Sequence, residues 1–383
     1  MSLLTQASLV LTPNAYKANK LYSIIPSSGS GDMVTTRATT ATRVNSSGVI
    51  ESVATGIPRL DYTGSVPSIL LEPQRTNLIL RSQDFSNVIW SKNSTTILST
   101  NNIAPNGTLT ATRLGITDTI NPTLQQIITG TIGLQYASSF WVRRVSGTSQ
   151  IFLRCGDVSP VQNINLTSDW QLFSYSAIST TTTVRCSIGF LSPVVGTDII
   201  EIWGSQLEIG AYSTSYIPTT TSTVTRNQDL ASVSGVSSLI GQTEGVIFVE
   251  SATLANDLTQ RAISISDGTS DNRLIIFYNL LSNQILIFGA ANGTNFASGI
   301  FYTVTDETQF AKIAIRYKVN DFTLWVNGTK RGTDLTSQAL PLSFNRFAFD
   351  SGSGGSNLFG KVKSAQLYNT YLTDAEMASL TTL

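Results

Sequence analysis

The stretch Lys312-Ile-Ala-Ile-Arg-Tyr-Lys-Val319, followed by Phe322-Thr-Leu-Trp-Val-Asn-Gly328, decides the fold class. Ile313, Ile315, Tyr317 and Val319 alternate with Lys312, Arg316 and Lys318, and Phe322, Leu324 and Val326 repeat the pattern in the next run. Period-two alternation is the mark of a strand with one covered and one wet face. The same grammar extends through the chain. Asn106-Gly107, Asp267-Gly268, Asn292-Gly293 and Asn327-Gly328 stand between apolar runs. Such pairs tolerate the positive φ of tight hairpins, so they predict antiparallel pairing. Many short strands divided by turns predict an all-β chain of sandwiches or barrels. One helix is expected, at the end, where Thr373-Asp-Ala-Glu376 forms a capping box ahead of Met377 and Leu380.

Composition narrows the chemistry. The 383 residues include no histidine, two cysteines and 24 basic against 24 acidic side chains. Without histidine, Ser-His-Asp and Cys-His catalysis and His-ligated zinc are excluded. Balanced charge argues against a nucleic-acid partner, which needs a basic footprint. Two cysteines cannot build a disulfide framework or a four-Cys metal site. Cys155 and Cys186 lie on apolar strand faces and read as small buried hydrophobes, able to bridge only if their strands adjoin. The start lacks a charged n-region and an apolar core, so no secretory signal is expected. No apolar stretch reaches the ~18 residues of a membrane span. Asn-x-Ser/Thr triplets at Asn45, Asn93, Asn106, Asn165, Asn292 and Asn327 are read as chance in a Ser/Thr-rich chain.

Three regions are expected. Residues 1–72 hold Ser27-Ser-Gly-Ser-Gly31 and the Thr-rich 35–42, with too few large apolar residues to close a core alone. They read as an attachment segment that becomes ordered against a partner. Residues 73–225 form a middle domain, ending in the stiff, β-branched tract Thr219-Thr-Thr-Ser-Thr-Val-Thr225. Residues 226–383 form the last domain.

Two resemblances sharpen this. Phe322-Thr-Leu-Trp-Val-Asn-Gly328, then Phe359-Gly-Lys-Val-Lys-Ser-Ala-Gln-Leu-Tyr-Asn369, then Tyr371-Leu-Thr-Asp-Ala-Glu376 resemble the concanavalin-like, laminin-G-like sandwich over about 240–383. Leu71-Glu-Pro-Gln-Arg-Thr-Asn-Leu78, Trp90, Ala104-Pro-Asn-Gly107 and Trp203-Gly-Ser-Gln-Leu-Glu208 with Tyr216-Ile-Pro218 resemble the jelly-roll, carbohydrate-binding-module-like domain of tailed-phage virion proteins. Upstream, Arg37-Ala-Thr-Thr-Ala-Thr-Arg43, Gly48-Val-Ile-Glu51 and Pro58-Arg-Leu-Asp-Tyr62 are similar to the segment preceding that domain in phage head-fibre and tail-fibre proteins. The resemblance implies two tandem antiparallel β-sandwiches, jelly-roll then concanavalin/laminin-G-like. It also implies a virion surface protein, a fibre or decoration and often a homotrimer, made in the host cytoplasm. Its N-terminal part would attach to other virion proteins of capsid or tail.

The candidate chemistry is sparse. Glycoside hydrolysis needs only two carboxylates, about 5–10 Å apart. Glu201 and Glu208 are the nearest pair, but seven positions along a regular strand put them on opposite faces. Asp267 and Asp271, with Asp257 upstream, are weak metal candidates, since calcium wants six to eight oxygens. Asp118 and Asp198 have no ligand cluster around them in the sequence. Gly352-Ser-Gly-Gly355 is a loop without the Lys-Ser/Thr of a phosphate cradle. Among Trp90, Trp141, Trp170, Trp203 and Trp325, the glycan-binding candidates are Trp325, opposite the apolar Phe322/Leu324/Val326 face, and Trp141. No catalytic residue and no cofactor are expected. The reading is a non-enzymatic virion surface protein binding host-surface glycans, with no nucleic-acid or membrane partner. The alternatives are a carbohydrate-active enzyme or its accessory module, and a purely structural decoration.

Overall fold

The computed structural model describes residues 2–64, 66–157, 164–191, 194, 196–278 and 280–383. The chain is all-β, and among the described residues the paired strands run antiparallel, with one isolated parallel bridge between Ala262 and Asn357. It divides into two compact units, Met1–Ala38 with Thr55–Pro73 and Gln228–Leu383, and Thr39–Ala54 with Gln74–Asn227.

In the first unit, one sheet runs in the order Thr329–Asp334, Asp321–Val326, Ala311–Lys318, Glu244–Thr253, Gly360–Tyr368, Ser68–Leu71, Arg59–Asp61, and Leu9–Leu11 also pairs with Gly360–Tyr368. The second runs from Thr294–Thr303 through Gln284–Ala291, Arg273–Tyr278, Arg261–Ser266, Arg346–Ala348 and Leu230–Ser234 to Val34–Thr36. Apolar residues of both sheets fill a single core between them, the arrangement of a sandwich. The apolar half of the stretch that decided the fold behaves as its alternation demands: Ile313 faces Val326, Ile315 faces Leu324 and Tyr317 faces Phe322, all in that core. Two residues of the stretch depart from it, for Arg316 is buried and Val319, beyond the strand end, is exposed. Asn327 and Gly328 take φ of 49° and 76°, the two positive angles of a tight hairpin.

The first 72 residues are not a separate segment awaiting a partner's core. Leu9, Leu11, Leu21, Met33, Ile69 and Leu71 are buried in the first unit's own core, supplying apolar area that residues 228–383 lack by themselves. A buried charge network fastens them. Arg37 Nη1 meets Asp229 Oδ1 at 2.7 Å, Arg59 Nη1 meets Glu72 Oε2 at 2.6 Å, and Arg59 also bonds the second oxygen of Asp229. The two carboxylates hold the Arg59 guanidinium above its ordinary range, against the cost of burying it. The boundaries near 73 and 227 are those of the middle unit, but residues 39–54 belong to it as well.

In the second unit, a four-stranded sheet (Ser91–Asn93, Thr123–Thr129, Thr183–Phe190, Ile151–Gly156) packs on a five-stranded one (Thr95–Asn102, Ala111–Ile116, Ile199–Ile209, Gln135–Ser146, Gln171–Ile178). Cys155 and Cys186 are direct cross-strand partners, yet both are free thiols inside the core, where burial pushes Cys155 up to about 12. The helix Asp374–Thr381 has both halves of the capping box. A second, short helix covers Leu3–Gln6, too brief to leave a periodic signal.

Candidate functional site

Trp325 is buried, only 4% exposed, which corrects the expectation of an open platform there. The reason lies in elements distant in sequence. Helix Asp374–Thr381 packs on strands Ala311–Lys318 and Asp321–Val326 and brings Met377, Leu372 comes from just ahead of its N-cap, and Ala7 and Val10 arrive from the N-terminus. With Phe248 and Tyr368 they close a small second core around the indole, so no sugar reaches its ring.

Trp141 fares differently. In strand Gln135–Ser146, Tyr136, Phe140 and Val142 point into the core, so Trp141 and Arg143 point outward. Trp141 stays half-buried beside its cross-strand partner Trp203, which is itself buried under Tyr216, Ala104, Ala111 and Ile50. Next to this aromatic row runs a charged one, in which Arg113, Glu201 and Arg143 are consecutive cross-strand neighbours. Glu201 is buried, and each oxygen takes one arginine: Arg113 Nη2 at 2.6 Å on Oε1, Arg143 Nη2 at 2.6 Å on Oε2. Arg113 Nε and Arg143 Nε add bonds at 3.1 and 2.7 Å, so both forks are two-point and fixed in plane. The guanidiniums keep 37% and 31% side-chain exposure and together outnumber the one carboxylate. Half-buried Trp170 completes the row: the Arg143 guanidinium lies 5.0 Å from its ring centre, and its Nε1 donates to the Ile103 carbonyl at 3.2 Å.

The outcome is a sheet face with two partly open indoles flanking rigid donor groups. A flat ring offers its face to the apolar side of a sugar, and fixed N–H donors suit hydroxyl oxygens. Sequence reading selected Trp141 and named Trp170 by type, but missed Arg113 and Arg143. The signal for Arg143 was present, two positions after Trp141 on the same strand face.

The acid pair Glu201 and Glu208 is rearranged in an informative way. A register shift between Trp203 and Gln206, with Gly204 at φ 61°, breaks the alternation, so Ile200, Ile202 and Leu207 all face the core. Glu201 and Glu208 therefore share the outer side, not opposite sides as a regular strand would have them. Both are consumed structurally, for Glu208 accepts from Thr214 N–H at 2.8 Å, from the Thr214 hydroxyl and from Gln206 Nε2 at 2.8 Å. Burial pushes the Glu208 carboxyl up.

The weak metal candidates do not converge. Asp267 closes its own turn, accepting from Thr269 N–H at 2.9 Å and Asn272 Nδ2 at 2.7 Å, and Asp257 pairs with Arg261 at 2.7 Å. The Asp271 main chain receives Gly293 N–H at 3.1 Å. Asp118 caps a turn onto Ile120 N–H, and buried Asp198 accepts from Ser149. Among the described residues, no three His, Cys, Asp or Glu side chains gather as a metal-ligand group. Nor is any helix among them long and apolar enough to cross a membrane.

No family model and no curated protein matches the chain. Solved structures similar to it include the CBM40 of the Ruminococcus gnavus IT-sialidase bound to alpha2,3 sialyllactose, at 15% identity, covering 39% of this chain and 91% of that one, with a TM-score of 0.34. A leech intramolecular trans-sialidase aligns at 18% identity over 37% of this chain and 23% of its own, TM-score 0.32. Domain 4 of a GH43 extracellular arabinanase from Geobacillus stearothermophilus, in complex with arabinotriose, aligns at 10% identity over 44% and 81%, TM-score 0.30. Likeness at this level adds nothing to what the chain's own side chains say.

Proposed function

We propose that this is a non-enzymatic protein that binds glycans on the outer face of the five-stranded sheet of the second unit. One observation carries the reading: Trp141 and Trp170, both partly open, flank Arg143, whose guanidinium is locked by buried Glu201. Rings supply the apolar contact and the fixed guanidiniums supply donors, while the carboxylates nearby are tied into structural bonds. The finer reading is a phage virion surface protein, a head or tail fibre or decoration, homotrimeric so that weak contacts multiply. Its support is the sequence resemblance around 37–62, 71–78 and 203–218. Attachment to capsid or tail proteins through residues 1–72 would use the outward side chains of that segment, such as Tyr22, Ile24 and Val34, since Leu9, Leu11, Leu21, Met33, Ile69 and Leu71 are already buried in the unit's own core.

The test is a panel of immobilised polysaccharides probed with the wild-type protein, Trp170→Ala and Arg143→Ala. Retention on at least one glycan is expected, with each variant weakened about tenfold, equivalent to about 1.4 kcal/mol. The Trp170→Ala melting temperature should stay close to wild type, because that side chain is partly exposed. Arg143→Ala takes the arginine from buried Glu201 Oε2 and should melt lower, so its binding is compared well below its midpoint. Wild-type retention on no glycan, or variants that bind as wild type does, would sink the reading.

A further inference from the structure

A second feature of the same unit narrows the kind of sugar. A groove of about 370 Å³ runs between the turn at Arg81–Ser86, the threonines Thr100, Thr110 and Thr112, and the segment at Thr220. Its wall is rich in hydroxyls, and Arg81 is the cation among the described residues that line it. Arg81 sits at φ +54°, a left-handed conformation that bulky side chains rarely adopt. The surroundings enforce it: Arg81 N–H donates to the Thr220 carbonyl at 2.8 Å, and its own carbonyl accepts from Trp90 Nε1 and from Asp84 N–H, each at 3.1 Å. Strain that the surroundings over-determine is characteristic of places where a side chain must be presented. Yet the Arg81 guanidinium makes no hydrogen bond or ion pair with any described residue, although the residue lines the groove. Asp84, the one acid in the wall, accepts instead from Ser86 Oγ at 2.6 Å.

A guanidinium held at a groove wall with its donors unused is free to form two-point, charge-assisted bonds to an anion. One wall residue also touches the aromatic row. Thr110 Oγ1 accepts from Trp203 Nε1 at 3.0 Å, and Trp203 is the cross-strand neighbour of Trp141. We infer that the groove is a subsite for an acidic sugar residue, its carboxylate or sulfate received by Arg81 and its hydroxyls by the threonines. This rests on the glycan-binding reading and names the class of ligand.

The experiment compares matched acidic and neutral probes: oligogalacturonate against its methyl ester for carboxylate, and carrageenan against agarose oligosaccharides for sulfate. Wild type, Arg81→Gln and Arg81→Lys are tested, each with its melting temperature. Wild type should prefer one acidic member about tenfold over its neutral partner, with the gap closing as salt rises. Arg81→Gln should erase that preference while keeping the neutral affinity, and Arg81→Lys should restore part of it. An unchanged preference in Arg81→Gln, or no acidic preference in wild type, overturns the inference and leaves the glycan reading standing. Binding to none of the four probes or the wider panel removes both.

Discussion

At the scale of single residues, burial decides which side chains are free to act. Trp325 and Trp141 are equivalent in sequence terms, each an outward tryptophan on an alternating strand. A helix some 50 positions downstream covers one, and nothing in the alternation around Trp325 encodes that cover. Trp325→Ala should cost about 3–5 kcal/mol by emptying a packed site, seen as a lower denaturation midpoint with glycan retention unaltered. Glu307 is a different case. It is 3% exposed, and its Oε2 has no hydrogen-bond partner. Burial, with Asp257 and Asp306 close by and Arg261 opposing, pushes its carboxyl up to about 7. The fold therefore holds this proton more tightly than the unfolded chain, whose glutamate titrates near ~4.3. The associated stability is complete below that value and is lost as pH rises through about 7. Glu307→Gln should accordingly raise the melting temperature at pH 8.5 and change it little at pH 4, in a fluorimetric scan across pH; equal shifts at both would contradict the assignment.

At the scale of elements, the alternation and the Asn-Gly turns were legible, because a one-residue slip in such strands would expose every core residue. The register that sets Ile313 against Val326 came only with the structure. What escaped was long-range pairing and irregularity. The bulge at Gly204 put Glu201 and Glu208 on one side against the regular alternation. Arg37, Arg59, Glu72 and Asp229 stand far apart in the chain, and only the folded topology makes them one network. Replacing Asp229 by Ala takes a carboxylate from two buried guanidiniums, leaving Arg59 with Glu72 as its acid partner, and should cost roughly 3–5 kcal/mol, measurable by urea denaturation. A change under about 0.5 kcal/mol would place the network outside the forces that hold this unit.

At the scale of the whole molecule, sequence reading found two sandwiches but drew them as tandem beads after a loose leader. The chain instead gives strands from 1–38 and 55–73 to the unit completed by 228–383. The leader looked core-poor because its large apolar residues are few and spaced; they sit where another segment supplies the remainder. Deleting residues 1–60 should therefore unfold the C-terminal unit, read as loss of its cooperative transition, while the unit of residues 39–54 and 74–227 loses only its hairpin 41–53. A sharp native transition for fragment 226–383 alone would contradict this.

That division sets a clock on synthesis. The Ser8 hydroxyl bonds the carbonyl of Leu367, 359 positions downstream. At ribosomal speeds of about 5–20 residues per second, the first strand waits roughly 20–70 s for its neighbour. Throughout that interval Leu9, Leu11 and Leu21 have no native cover, while the middle unit can already be finished. Nascent chains of this protein are thus sticky at their oldest end, and chaperone capture or co-assembly with sibling chains has its longest opportunity there.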